Sequence, residues 1–142
     1  MKIEKAKYSL LVMIAAISFV SCEKEEIPET DEPTETKQMT ITISNPTDGA
    51  TFAFGEDVTI SGEMNSNFSA HGYIVRYYNA SNDDSLLYVT DGHEHGETIP
   101  FSETWTNNLA TASDVRIEFT AMSDHLGSYT EIETVTVSCL AN

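Results

Sequence analysis

Four histidines, His71, His93, His95 and His125, are the side chains here whose type and spacing point to chemistry. Two of them form a His-x-His unit inside Asp91-Gly92-His93-Glu94-His95-Gly96. In extended backbone, residues i and i+2 project to the same side, so His93 and His95 can face one ion while Glu94 turns away. His71 and His125 would complete an all-nitrogen set. Imidazole donors suit Zn²⁺, Cu²⁺ or Ni²⁺, whereas Ca²⁺ and Mg²⁺ prefer oxygen. Asp91 and Asp124 are neighbouring carboxylates that can orient a ring nitrogen or ligate directly. The competing reading is four exposed loop histidines with no common purpose, His71 simply capping the turn before Gly72.

Only a scaffold that gathers these residues makes the first reading work. From Thr40 onward, short alternating runs are separated by turn residues: Thr40–Ser44, Val58–Gly62, Tyr73–Tyr78, Leu86–Val89, Ile99–Phe101, Val115–Ala121 and Ile132–Val137. No window carries a helical period. Seven strands in about 100 residues predict an all-β, seven-stranded antiparallel immunoglobulin-like β-sandwich over residues 40–142. Pro100 argues for an edge strand or a bulge in the fifth run, and a parity change between Ile132 and Val135 predicts a bulge in the last. Trp105, Phe119 and Tyr73 are expected as core or corner aromatics. If strands simply alternate direction, connections 2–3, 4–5 and 6–7 share one end. Those connections hold all four histidines, and the opposite loops (45–57, 79–85 and 106–114) hold none.

The chain is 142 residues long, with 23 acidic and 7 basic side chains and a formal charge of −16. It lacks the Lys/Arg stripe that phosphate recognition needs, which argues against nucleic acid as a partner. The folded part carries fifteen acids against Arg76 and Arg116 alone, a field that concentrates cations. Residues 1–21 differ: Lys2, Lys5 and Lys7 precede an uncharged run, Leu10–Val20, too short for a permanent span and suited to a signal-peptide core.

That run ends at Phe19-Val20-Ser21-Cys22, which resembles a bacterial lipoprotein lipobox. The resemblance implies cleavage before Cys22, a covalent lipid on Cys22 (palmitate among its acyl chains) and attachment to the membrane through that anchor. Residues 22–39 are rich in Glu with two prolines and few apolar groups, and read as a disordered acidic tether. Glu23-Lys24-Glu25-Glu26 behind the cysteine resembles the export signal of Bacteroidota surface lipoproteins, implying the outer membrane and its cell-surface face. Ile43–Phe52 and Ser123–Gly127 are similar to turns of bacterial immunoglobulin-like modules. Together with the His-x-His, they resemble a Bacteroidota lipoprotein group of unknown function that carries such a module.

No G-x-S-x-G or H-E-x-x-H pattern is present, so the sequence points to a binding protein and not an enzyme. The leading expectation is a lipid-anchored, non-catalytic module binding Zn or Cu (or Ni) through His71, His93, His95 and His125. The alternative is a metal-free, adhesion-type module contacting an outer-membrane protein or a glycan, with Tyr77, Tyr78 and Tyr88 as candidate contacts. A third reading places Ca²⁺ at Asp83 and Asp84 in the opposite loop. Cys139 is set aside as a ligand, because the last strand carries it roughly 25 Å from the histidine end.

Overall fold

The computed structural model describes residues 35–142; the expected signal peptide, the expected lipidation site Cys22 and most of the expected tether lie outside the described residues. Eight strands form two packed sheets: β1 (Met39–Asn45), β2 (Thr51–Phe52), β3 (Asp57–Ala70), β4 (Tyr73–Asn79), β5 (Ser85–Gly92), β6 (Gly96–Thr106), β7 (Ser113–Met122) and β8 (Thr130–Cys139). The smaller sheet has the order β1-β3-β6 and the larger β2-β8-β7-β4-β5. This is the expected immunoglobulin-like β-sandwich with one strand added. The addition is β2, which pairs in parallel with β8 through Thr51–Ser138 and Phe52–Cys139. Two residues are too few to leave a period in the sequence.

Strand alternation explains the core. Val58, Ile60 and Met64 from β3, and Ile99, Phe101 and Trp105 from β6, face Tyr73, Val75 and Tyr77 from β4 and Val115, Ile117 and Phe119 from β7. All of them are buried. Phe101 stacks on Phe119 at a centroid distance of 3.9 Å, and Tyr73 stacks on Phe119 at 4.9 Å while meeting Phe101 at a tilt, 5.8 Å away. The three aromatics expected in the core, Trp105, Phe119 and Tyr73, are there. Tyr77 is buried too, and its hydroxyl donates to the Val58 carbonyl of the opposite sheet. It is therefore not a surface contact as the adhesion reading required. Tyr78 is half-buried, under the Arg116 guanidinium at 4.5 Å, and Tyr88 is exposed.

Other departures have local causes. β3 runs for 14 residues where the sequence showed five, because Glu63, Asn65 and Asn67 interrupt the apolar signal. β8 pairs with β7 residue by residue from Thr130–Met122 to Cys139–Ser113, without a bulge. The parity change arises because Ile132 stands exposed on the outer face. β6, which carries Pro100, is an edge strand, as proline requires. Residues 36–39, assigned to the tether from sequence, are fastened to β3: Asn67 bonds to Gln38 through both backbone and side chain, and to the Thr36 carbonyl.

Asn107 organises the end away from the histidines. Fully buried, it donates from Nδ2 to the Ala53 and Leu140 carbonyls (3.1 and 2.9 Å) and accepts from the Leu109 amide. Cys139 lies near this end, buried, with its thiol pushed up to about 11, chiefly by desolvation. Where β1 pairs with β3, Gly62 is closely packed beside the irregularity between Ile43 and Asn45. A methyl group added at Gly62 would run into the Thr42 carbonyl and sit 2.8 Å from the Phe101 ring. Gly62→Ala is therefore expected to destabilise the domain by roughly 1–3 kcal/mol. Urea unfolding should show a lower midpoint at unchanged slope, and an unaltered midpoint would refute the close packing at Gly62.

Candidate metal centre

The histidine pole is assembled by three connections. β3 and β6 lose register between Asn65 and Ala70, where the pairing resumes as Ala70–Gly96. This irregularity bends the end of β3 so that only His71 and Gly72 are needed to cross to β4 in the other sheet. The crossover is pinned on both sides. The His71 amide donates to the Met122 carbonyl at 2.9 Å, and the Met122 amide returns a bond to Gly72 at 3.0 Å. Gly72 has φ +105° and packs so closely on Gly92 that any side chain would meet the Gly92 carbonyl. Gly92 in turn lies against the Tyr73 ring, leaving no room for a Cβ. Consecutive backbone contacts thus draw His71, His93 and the end of β7 together.

Below this pole, the Tyr73 hydroxyl donates to Glu103 at 2.9 Å and Thr90 donates to its other oxygen at 3.2 Å. Burial, and then the Glu103 carboxylate it bonds to, push the Tyr73 phenol well above its ordinary range. The ring that supports Gly92 therefore stays neutral and fixed.

The third connection, β7 to β8, presents His125. Asp124 shapes it: Oδ1 accepts from the Leu126 and Ser128 amides at 2.9 and 3.1 Å, and Oδ2 accepts from the Ser123 hydroxyl at 3.2 Å. These bonds hold the Asp124 carboxyl at about 2, the Ser128 amide leading. The Ser123 hydroxyl accepts from the Tyr129 amide, and Tyr129 meets Phe68 of β3 edge-on at 6.2 Å.

The four rings meet. His71 is central, with ring centroids 3.7 Å from His125, 4.2 Å from His95 and 4.5 Å from His93. Its Nε2 lies 2.9 and 2.7 Å from Nδ1 and Nε2 of His125. Its Nδ1 lies 3.1 Å from Nδ1 of His95. Nitrogens of His71, His93 and His125 all fall within 4.8 Å of one another, a spacing that can hold one metal ion. Around a tetrahedral Zn²⁺ with bonds of about 2.0–2.1 Å, neighbouring nitrogens sit about 3.3 Å apart, so small shifts of the rings would suffice. His71 is half-buried, and the His93 and His125 rings are exposed. Desolvation, then the nearby His125, His95 and His93, lower the proton affinity of His71, against the pull of Asp124. A lone pair is thus kept available for a cation.

The carboxylates take other places than the sequence suggested. Asp124 uses both oxygens within its own loop and orients His125 through the backbone. Asp91, exposed opposite Ile74 on β5, bonds to no histidine among the described residues. Sequence reasoning missed Gly72 and Gly92, whose role depends on close approach across the sheet. At the opposite pole, Asp83 and Asp84 form a tight turn with φ of 49° and 52°, and Asp84 reaches Arg116 at 3.4 Å.

Fold and site together define a two-sheet immunoglobulin-like β-sandwich with a histidine cluster at one pole. No protein-family model matches the chain, and no curated protein matches it. Among solved structures, it is similar to the fibronectin(III)-like modules of Clostridium thermocellum CbhA, at 21% identity and a TM-score of 0.46, over 72% of this chain and 47% of that one. The chain thus spans about half the length of that solved chain.

The depressed Asp124 carboxyl fixes the sign of an acid effect. Its contribution to stability is complete above about pH 4 and falls away as pH drops through about 2, where the folded-state carboxyl takes up its proton. Asp124→Ala should therefore unfold more easily than the parent chain at pH 7, with the gap closing toward pH 2. A gap independent of pH would refute the ionised cap.

Proposed function

We propose that this protein is a lipid-anchored, non-catalytic immunoglobulin-like module that binds a transition metal at the pole formed by His71, His93, His95 and His125. The observation that carries the reading is the convergence of ring nitrogens from three separate connections within 4.8 Å of one another. Three loops contribute, so an ion there would also clamp them. The all-nitrogen donor set favours Zn²⁺, Cu²⁺ or Ni²⁺. The acidic surface, with a chain charge of −16, raises the local concentration of any of them.

The test is metal content and Zn²⁺, Cu²⁺ and Ni²⁺ titration of the full chain beside His71→Ala, His93→Ala and His125→Ala. The parent is expected to bind one ion. Each substitution is expected to weaken binding by at least about 100-fold, since it removes one of the three ring nitrogens that lie within reach of a single ion. Equal binding by all four proteins would defeat the reading.

Anchoring is supported by the lipobox-like Phe19-Val20-Ser21-Cys22 and the acidic stretch behind it. The membrane meant here is the bacterial outer membrane, with the module on its cell-surface face. Cells fed labelled palmitate should incorporate it into the parent chain but not into Cys22→Ser, and that variant should leave the membrane fraction. Label retained by Cys22→Ser would overturn the anchor.

A second reading, a metal-free adhesion-type module for an outer-membrane protein or glycan, is favoured by β5. This edge strand exposes Leu86, Tyr88 and Val89 and is paired on one side only, with β4.

A further inference from the structure

The His-x-His of this chain does not act as a pair of equal ligands. We infer that His71, His93 and His125 hold the metal while His95 holds His71, and that the fourth coordination position accepts a neutral nitrogen donor, an imidazole, from outside the chain. The inference rests on the metal reading above and assigns roles within that site.

A neutral imidazole has one N–H and one lone pair, so the two ring nitrogens of His71 must do different things. Nδ1 faces a single partner, Nδ1 of His95, at 3.1 Å. Nε2 faces the His125 ring, 2.7 and 2.9 Å from its two nitrogens. The set of mutually close ligand atoms contains His71, His93 and His125. With Nε2 given to the ion, Nδ1 carries the hydrogen and donates it to His95. Metal-bound histidines commonly donate their second N–H to a carboxylate, carbonyl or water that fixes tautomer and ring angle. The carboxylate best placed for that duty, Asp124, has both oxygens engaged by its own loop. His95 takes the duty instead, as a positioning residue.

Three protein nitrogens leave one place around a four-coordinate ion. His93 and His125 are exposed, so this place opens toward solvent. The surroundings select what enters. Asp91, Glu94 and Asp124 lie beside the ligands in sequence, in a strongly acidic protein, and disfavour an anion. A neutral donor meets no such penalty. Leu126, the residue after His125, is 91% exposed and leaves an apolar side chain on the surface of this loop.

Co²⁺-loaded full chain, with cobalt content measured on the same sample, is titrated with free imidazole, with a short histidine-containing peptide and with azide, following the visible d–d bands. The same titrations are made on His95→Gln and His95→Ala. The parent is expected to bind one imidazole with a band shift and to bind azide at least about 10-fold more weakly. Glutamine can still accept from Nδ1, so His95→Gln should retain the parent spectrum. His95→Ala should lose 10- to 100-fold in cobalt affinity, the usual effect of removing such a partner. A peptide response as strong as free imidazole assigns the donor to a protein histidine, and a response to free imidazole alone assigns it to a small molecule; both support the open position. A parent insensitive to imidazole beside a responsive His95→Gln would make His95 the fourth ligand and overturn the inference while leaving the metal site intact. Insensitivity of all three proteins, or tighter azide than imidazole, also overturns it. A parent that takes up no cobalt fails the metal reading itself.

Discussion

Everything at the histidine pole depends on how closely three backbones can approach. Gly72 is bonded to Met122 on one side and pressed on Gly92 on the other, and Gly92 rests on the Tyr73 ring. Side chains larger than hydrogen at these two positions would hold β4, β5 and β7 apart. The connection from β3 to β4 changes sheets with two residues, so it has little slack to absorb such a separation. Local backbone packing thereby sets the distance between imidazoles that are 24 and 54 residues apart in the chain.

The two ends of the sandwich solve the same problem differently. At the far end, Asn107 saturates carbonyls from β2, its flanking turn and the C-terminal segment with a buried amide. Nothing charged is needed there, and the amide's hydrogen bonds fix that end internally. At the histidine end, the polar atoms that remain are ring nitrogens turned toward one another. Desolvation, and then competition for protons with the neighbouring rings, hold His71 below its ordinary value. An end closed by Asn107 and an end left with lone pairs give the module a direction.

Much of this was legible in the sequence, for reasons that can be named. Alternation in Val115–Ala121 and the aromatic and β-branched run Tyr73–Tyr78 marked two central strands, and antiparallel succession then placed His71, His93, His95 and His125 on one side. What stayed hidden depends on partners distant in sequence. The far half of β3 is polar because one of its faces meets solvent, and its course follows from pairing with β6. Tyr77 looks like a surface aromatic until the Val58 carbonyl across the sandwich supplies a bond for its hydroxyl. Asp124 looks like a partner for imidazole until the amides of Leu126 and Ser128 claim it. Spacing alone made His93 and His95 equivalent. Only the different surroundings of the two His71 nitrogens separate their roles.

The burial of Cys139 reaches beyond packing. A thiol held near 11 is almost entirely un-ionised at neutral pH, and only the thiolate reacts readily with oxidants or captures soft metals. Sulfur would bind Zn²⁺ or Cu⁺ in competition with nitrogen, and an accessible thiol would expose the domain to cross-linking in an oxidising exterior. Locked under β2 at the opposite end of β8, this sulfur does neither. Among the described residues, no accessible thiol then competes with the ring nitrogens for an ion, and the fold offers no sulfur for cross-linking.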